Sequence, residues 1–157
     1  MQAQREAELE VFADYHQFYV WDGGVDPQAP EVWSEEDVTN RAKVAEHVFV
    51  VCPLRNMNVP VRVTLLSAEP AQDLARYDHA VQGSLALPTG QLQVHECTGG
   101  VVLTWKVEPG TYRVLALFAG LGSLSPDGLD GQDTYHVILW PGAAVPLKVL
   151  KQWSEEQ

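Results

Sequence analysis

Basic residues are scarce in this 157-residue chain: ten Lys and Arg stand against twenty-one Asp and Glu, a formal charge of −11. So few cations argue against direct nucleic-acid binding and against binding to anionic membranes, because both need a basic face. Cysteine is scarce too. Cys52 and Cys97 alone do not make a disulfide framework, and the chain reads as a cytoplasmic protein with free thiols. The opening residues, Met1 to Glu10, have neither the basic start nor the apolar middle of a secretory signal. No apolar run approaches the ~18–20 residues of a membrane helix; the longest, Val114 to Leu121, is interrupted by Gly120. A Gly-x-Ser-x-Gly nucleophile elbow is missing. Gly120-Leu121-Gly122-Ser123 lacks the Gly-Lys-Ser/Thr of a phosphate loop. The residues imply no cofactor, no resident metal and no catalytic set. With no linker or repeat, residues 1–157 are expected to form a single β-sandwich domain, with 1–9 as a frayed segment.

What the chain has in abundance is alternation. Val61, Val63 and Leu65 alternate with Arg62 and Thr64, and Val101, Leu103, Trp105 and Val107 with Val102, Thr104 and Lys106. A period of two is the mark of strands with one buried face. Tyr135, Val137 and Leu139 alternate with His136, Ile138 and Trp140, apolar-rich sets that predict a strand buried on both faces. Strands are expected near 11–20, 47–52, 60–67, 77–87, 91–96, 101–107, 111–118, 133–140 and 145–152. Pro88-Thr89-Gly90, Thr98-Gly99-Gly100 and Glu108-Pro109-Gly110-Thr111 separate them and predict antiparallel hairpins across 77–118. The fold expected is mainly β, an antiparallel β-sandwich of about nine strands, with a closed barrel as the alternative. One helix interrupts it. Ser34-Glu35-Glu36-Asp37 is close to a capping box, and Val38, Ala42 and Ala45 form a stripe, which predicts a short α-helix over residues 35–46.

Chemistry-bearing groups are few. Cys52 ends an apolar strand and reads as a small buried hydrophobe. His95-Glu96-Cys97 offers two ligand types on one strand face, without a second pair at zinc spacing. Asp127, Asp130 and Asp133 recur every third residue in a Gly-rich loop; they depart from the EF-hand pattern but leave a calcium- or small-ligand-binding module open. His16 and His136 each follow a tyrosine on an expected strand and are the only pair an enzyme reading could use; as core histidines they need no function.

The excess charge is concentrated. Residues 1–40 carry ten acids against Arg5 alone, and a second acidic patch lies at 127–133. Trp21 and Trp33 are interleaved with Asp22, Asp26, Glu31, Glu35, Glu36 and Asp37. Carboxylates around aromatics suit an interface for a basic protein, in which charge steers and aromatics anchor. With Asp127, Asp130 and Asp133 these are the candidate partner-binding residues; the alternative is a solvated acidic face that keeps the protein soluble.

The segment Tyr15-His16-Gln17-Phe18 resembles the first-strand core of the competence nuclease inhibitor family (ComJ-like proteins). Trp33-Ser34-Glu35-Glu36, Glu108-Pro109-Gly110-Thr111-Tyr112 and Asp133-Thr134-Tyr135-His136 follow in the family's order, so the resemblance spans about residues 11–141. It implies a small non-catalytic intracellular inhibitor that binds a DNA-entry nuclease and blocks its basic cleft. It also implies a structural role for Tyr15, His16, Gln17, Phe18, Asp133, Thr134 and Tyr135, whose side chains alternate in and out.

Overall fold

Two β-sheets packed face to face form the frame of the computed structural model, which describes residues 4–71 and 73–154. Its strands are β1 (Arg5–Phe12), β2 (Phe18–Asp22), β3 (Ala42–Ala45), β4 (Val48–Val51), β5 (Asn58–Leu65), β6 (His79–Leu87), β7 (Gln91–Glu96), β8 (Val101–Lys106), β9 (Gly110–Ala119), β10 (Thr134–Pro141) and β11 (Lys148–Lys151). A single α-helix among the described residues, α1 (Glu35–Asn40), precedes β3. One sheet runs β1-β5-β10-β9-β6-β11 and the other β3-β4-β2-β7-β8. The expected sandwich is therefore present, and the barrel is not.

The alternating sets decide which face each strand buries. Val59, Val61, Val63, Tyr135, Val137, Leu139, Val114, Ala116 and Phe118 of the first sheet meet Phe18, Val20, Phe49, Val51, Leu92 and Val94 of the second in one core. Phe118, fully buried near the end of β9, packs edge-on to Tyr135 at 5.2 Å and to the buried His79 at 5.0 Å. The two-faced burial expected of 135–140 is also present. Ile138 and Trp140 join Leu66, Ala80, Leu115 and Leu117 on the outer face, under Leu74 and Tyr77. The outer face of the second sheet holds Tyr19, Val48 and Val50, covered by Ala29 and Trp33 from the segment after β2.

Four expectations need correction. The expected strand 11–20 is two strands in different sheets, parted by a 3₁₀ turn at Asp14–His16. The inward residues change parity there, from Val11 and Ala13 to Phe18 and Val20. Residues 5–9 are not frayed: they belong to β1, whose alternating Glu6, Glu8 and Glu10 make a charged sheet edge paired antiparallel with β5. Residues 1–3 of that expected segment lie outside the described residues. The helix stops at Asn40, because Arg41 turns left-handed (φ 59) and Ala42 is drawn into β3, with Cys52 N–H donating to the Arg41 carbonyl. A tight Glu46-His47 turn then pairs Ala45 with Val48. Finally, of the hairpins expected across 77–118, β7–β8 is one, whereas β6–β7 and β8–β9 cross between sheets. The β5–β10 pair is parallel, an exception to the antiparallel rule.

Phe118→Ala removes the buried ring that bridges Tyr135 and His79. It is expected to cost about 3–5 kcal/mol, read as a lower urea midpoint at an unchanged slope.

Candidate protein-binding surface

Asp22 ends β2 with no exposure at all. Its carboxylate accepts from Gly24 N–H at 2.8 Å, from Thr89 N–H at 2.7 Å and from the Thr89 hydroxyl. Burial pushes its pKa up, but the Thr89 and Gly24 hydrogen bonds, helped by His47, bring it below the ordinary aspartate value. This carboxylate staples the start of the 23–34 segment to the turn before β7. It is a structural anchor and not the partner-facing acid that the sequence reading expected. Trp21 beside it is half-buried, stacked on Tyr19 at 5.2 Å and 4.7 Å from the His95 ring, with its indole N–H donating to Gln93. It belongs to the sheet's outer face.

The anchored segment runs back over that face and delivers α1. Ser34 caps the helix by accepting from Asp37 N–H, and the Asp37 carboxylate accepts from Ser34 N–H in return. The same carboxylate pairs with Lys43 at 2.6 Å, and this bond is the largest reason its pKa lies below the ordinary value. Lys43 in turn lies 5.8 Å from the Trp33 ring centre, which holds the half-buried indole in place. Asp37 is thus committed to the cap and to Lys43. Asp26, Glu31, Glu35 and Glu36 are exposed.

The second acidic patch divides in the same way. Asp133 is fully buried, paired with Arg55 at 2.9 Å and accepting from the Tyr135 hydroxyl at 2.5 Å. The Tyr135 oxygen accepts from Leu54 N–H at 3.0 Å. Burial, then the Asp133 carboxylate, raise the Tyr135 pKa. A carboxylate so enclosed cannot meet a partner, so Asp133 too leaves the expected set. Asp127 and Asp130 are exposed. Asp127 accepts from the Ser125 hydroxyl and Leu129 N–H, and these bonds lower its pKa. With Asp133 tied to Arg55, the three acids of this loop do not converge, and no cluster of metal-ligating side chains occurs among the described residues.

The Asp133–Arg55–Tyr135 knot pins the loop between β4 and β5, and that loop joins two clefts. One, of about 430 Å³, is lined by Tyr15, His16, Gln17, Trp33, Val38, Arg41, Cys52, Pro53 and Leu54. The other, of about 420 Å³, is lined by Leu54, Leu121, Leu124, Asp127 and Trp153 among others. They share Leu54; Trp33 and Val38, neighbours in the chain of Glu35 and Glu36, line the first, and Asp127 lines the second. The C-terminal segment packs against α1 and supplies Trp153 to the second cleft. Arg41 lies over the Trp153 ring at 5.0 Å, and the Gln152 amide donates to the Thr39 carbonyl. Burial pushes the Cys52 thiol up to about 12, consistent with an inert wall residue.

Tyr15 and His16 are not on a strand. Both have left-handed backbones (φ 58 and 57), and Tyr15 is 68% exposed beside the first cleft. Sequence reasoning missed Tyr15, Val38, Leu54, Arg41 and Trp153 as surface residues. The parity change between Ala13 and Phe18 was the one signal that pointed to Tyr15. His136 is elsewhere, in a separate cleft of about 340 Å³ on the outer face of the six-stranded sheet, with Glu8, Arg62 and Tyr77. Its Nε2 contacts the Thr64 hydroxyl at 2.8 Å. Burial, and then Arg62, bring its pKa down to about 4. His16 and His136 therefore line different clefts and make no catalytic pair. His95 Nδ1 contacts the Glu96 carbonyl, while the Glu96 carboxylate accepts from Phe12 N–H and the Cys97 sulfur from the Tyr19 hydroxyl. That trio serves the sheet.

Two solved structures share this fold. ComJ from Bacillus subtilis, described as an inhibitor of the DNA-degrading activity of NucA, is 18% identical, with a TM-score of 0.65 over 90% of this chain and 98% of its own. The crocagin biosynthetic gene J product is 21% identical, with a TM-score of 0.56 over 91% of this chain and 100% of its own. No protein-family model and no curated protein matches the sequence. No helix among the described residues is long and apolar enough to cross a membrane.

Two measurements separate structural from surface groups. Asp133→Asn strands the buried Arg55 charge and is expected to cost about 3–5 kcal/mol, whereas Asp130→Asn stays within about 0.5 kcal/mol; chemical denaturation of both variants checks this. His136 gives a pH slope. From the ordinary histidine value near 6.5 down to about 4, the unfolded chain takes up a proton that the folded chain refuses. Stability is then full above that window and falls as pH falls through it. The buried His79, whose pKa burial also lowers, acts with the same sign. His136→Gln is expected to make the slope shallower in denaturation curves taken across the window.

Proposed function

We propose that this chain is a protein-binding inhibitor of a DNA-degrading nuclease, with exposed carboxylates taking the place of substrate phosphates in a basic cleft. Asp26, Glu31, Glu35, Glu36, Asp127 and Asp130 supply the charge, and Trp33 stands among them. Trp21, Asp22, Asp37 and Asp133 support that surface from within. The observation that carries the reading is a pair of clefts sharing Leu54, one walled by Trp33 and Val38 beside the acids of α1 in the chain, the other lined by Asp127. The sandwich that this chain shares with ComJ lends it further support. Surface carboxylates in such an arrangement accelerate encounter with a basic partner and reject acidic ones. The partner is a protein, the role is non-catalytic, and neither nucleic acid nor membrane is bound directly.

The test is a DNA-degradation assay. Extract of the source cell is fractionated on a cation exchanger, so that basic nucleases are followed apart from acidic ones, and the purified chain is titrated in. Wild type is expected to suppress a basic nuclease at stoichiometric concentration, with suppression weakening as ionic strength rises past ~0.1 M. Glu35→Lys with Glu36→Lys is expected to weaken suppression at least tenfold and flatten its salt dependence. Glu8→Lys, on the outer face of the other sheet, makes the same charge change per residue and leaves suppression intact. Full nuclease activity in every fraction at a molar excess of wild type would refute the reading.

A further inference from the structure

We propose that the 430 Å³ cleft between the Tyr15–Gln17 turn and α1 is the anchor of the interface, and that it receives an apolar or aromatic side chain of the nuclease flanked by lysines and arginines. This proposal rests on the inhibitor reading and assigns Tyr15 and Val38 to binding, where sequence had placed Tyr15 in the structural motif.

Three observations converge on it. The first is exposure. Tyr15 is 68% exposed and Val38 60%, both on the cleft, and Val32, next to Trp33, is 80% exposed. Large apolar groups held in solvent around a rimmed concavity mark a contact site rather than ordinary surface scatter. The second is backbone strain. Tyr15 and His16 are consecutive non-glycine residues with positive φ. Such conformations are costly for residues with a Cβ and persist where the surroundings enforce them, often at binding sites. Here the enforcement is visible: His16 N–H donates to the Ala13 carbonyl and to Asn56, and Thr98 donates to the Asp14 carboxylate. An unstrained continuation of β1 would carry Tyr15 inward after Val11 and Ala13; the turn holds it outward instead.

The third is the layout of charge. The exposed Glu31, Glu35 and Glu36 lie within three residues of Trp33 or Val38 in the chain, while Asp127 lines the adjoining cleft. The cleft itself is lined by Arg41, fixed against Trp153. A cation at that wall disfavours an inserted lysine or arginine. The lining holds no carboxylate, so the inserted group is apolar, and the partner's cations meet the exposed acids that flank Trp33 and Val38 in the chain and Asp127 of the adjoining cleft. An aromatic anchor ringed by charge is the usual anatomy of an interface hot spot.

The experiment uses the same nuclease fraction with Tyr15→Gly and Val38→Asp. Glycine removes the ring and relieves the left-handed strain, so Tyr15→Gly is expected to raise the melting temperature while the concentration needed for half-inhibition rises at least tenfold. Val38→Asp, at an exposed helix position, is expected to keep the wild-type melting temperature and lose inhibition to the same degree. If wild type inhibits and both variants inhibit equally well, the anchor proposal is overturned while the inhibitor reading stands. If wild type itself inhibits no nuclease, both fall together.

Discussion

One fully buried carboxylate holds the surface proposed for binding together. Asp133 meets Arg55 and the Tyr135 hydroxyl inside the protein, and Tyr135 in turn accepts from the Leu54 backbone. Removing an aspartate and an arginine from water is expensive, and the arrangement is tolerable only because charge, hydroxyl and backbone partner one another. The return is positional. A β4–β5 loop that would otherwise wander is fixed to β10, and Leu54 stands where the two clefts meet. Arg55 also reaches the Leu129 carbonyl, so the same knot orients the 127–130 loop.

A second set of contacts brings α1 and the C-terminal segment to that loop. Asp22 fastens one end of the 23–34 segment, while Ser34, Asp37, Lys43 and Trp33 form a small polar and aromatic brace at the other. His79, fully buried, joins α1 to the tail: its Nε2 contacts the Asn40 carbonyl, and its Nδ1 accepts from Trp153 N–H. Those two contacts require the neutral ring with the proton on Nε2, which burial and the nearby Arg41 both favour. The acids of this protein thus have two unlike occupations. Some are internal fastenings whose charge never reaches a partner. Others ride on the elements so fastened and define the outward field.

A sandwich is a scaffold, and scaffolds of one architecture serve unrelated purposes. What distinguishes this one is the display: a six-residue helix, a strained turn and two loops, gathered along two clefts that share Leu54. Each of these elements lies between strands, where variation does not disturb the core. The function proposed for the chain therefore depends on those loops rather than on the sheets beneath them.

Much was legible in local pattern. The alternation in 61–65 and 135–140 determined strands and their faces, because side chains on a pleated strand alternate regardless of partner; in 101–107 it held for Leu103, Trp105 and Val107 but not for Val101, which a register shift against β7 leaves exposed while Val102 packs on the core. Ser34 to Asp37 determined where the helix begins, because a cap is a bond between near neighbours. The acidic bias of the first forty residues needed only counting. What required tertiary structure was everything settled by distant partners. Asp22 and Asp133 are indistinguishable from Asp26 and Asp130 in sequence; Thr89 and Arg55 make the first two internal. The helix ends early because Ala42 to Ala45 pair with a later strand, and the turns at 88–90 and 107–109 cross between sheets because the core needs both layers filled. Whether two acidic segments nearly a hundred residues apart share one surface is a matter of long-range chain closure, which no short-range periodicity encodes.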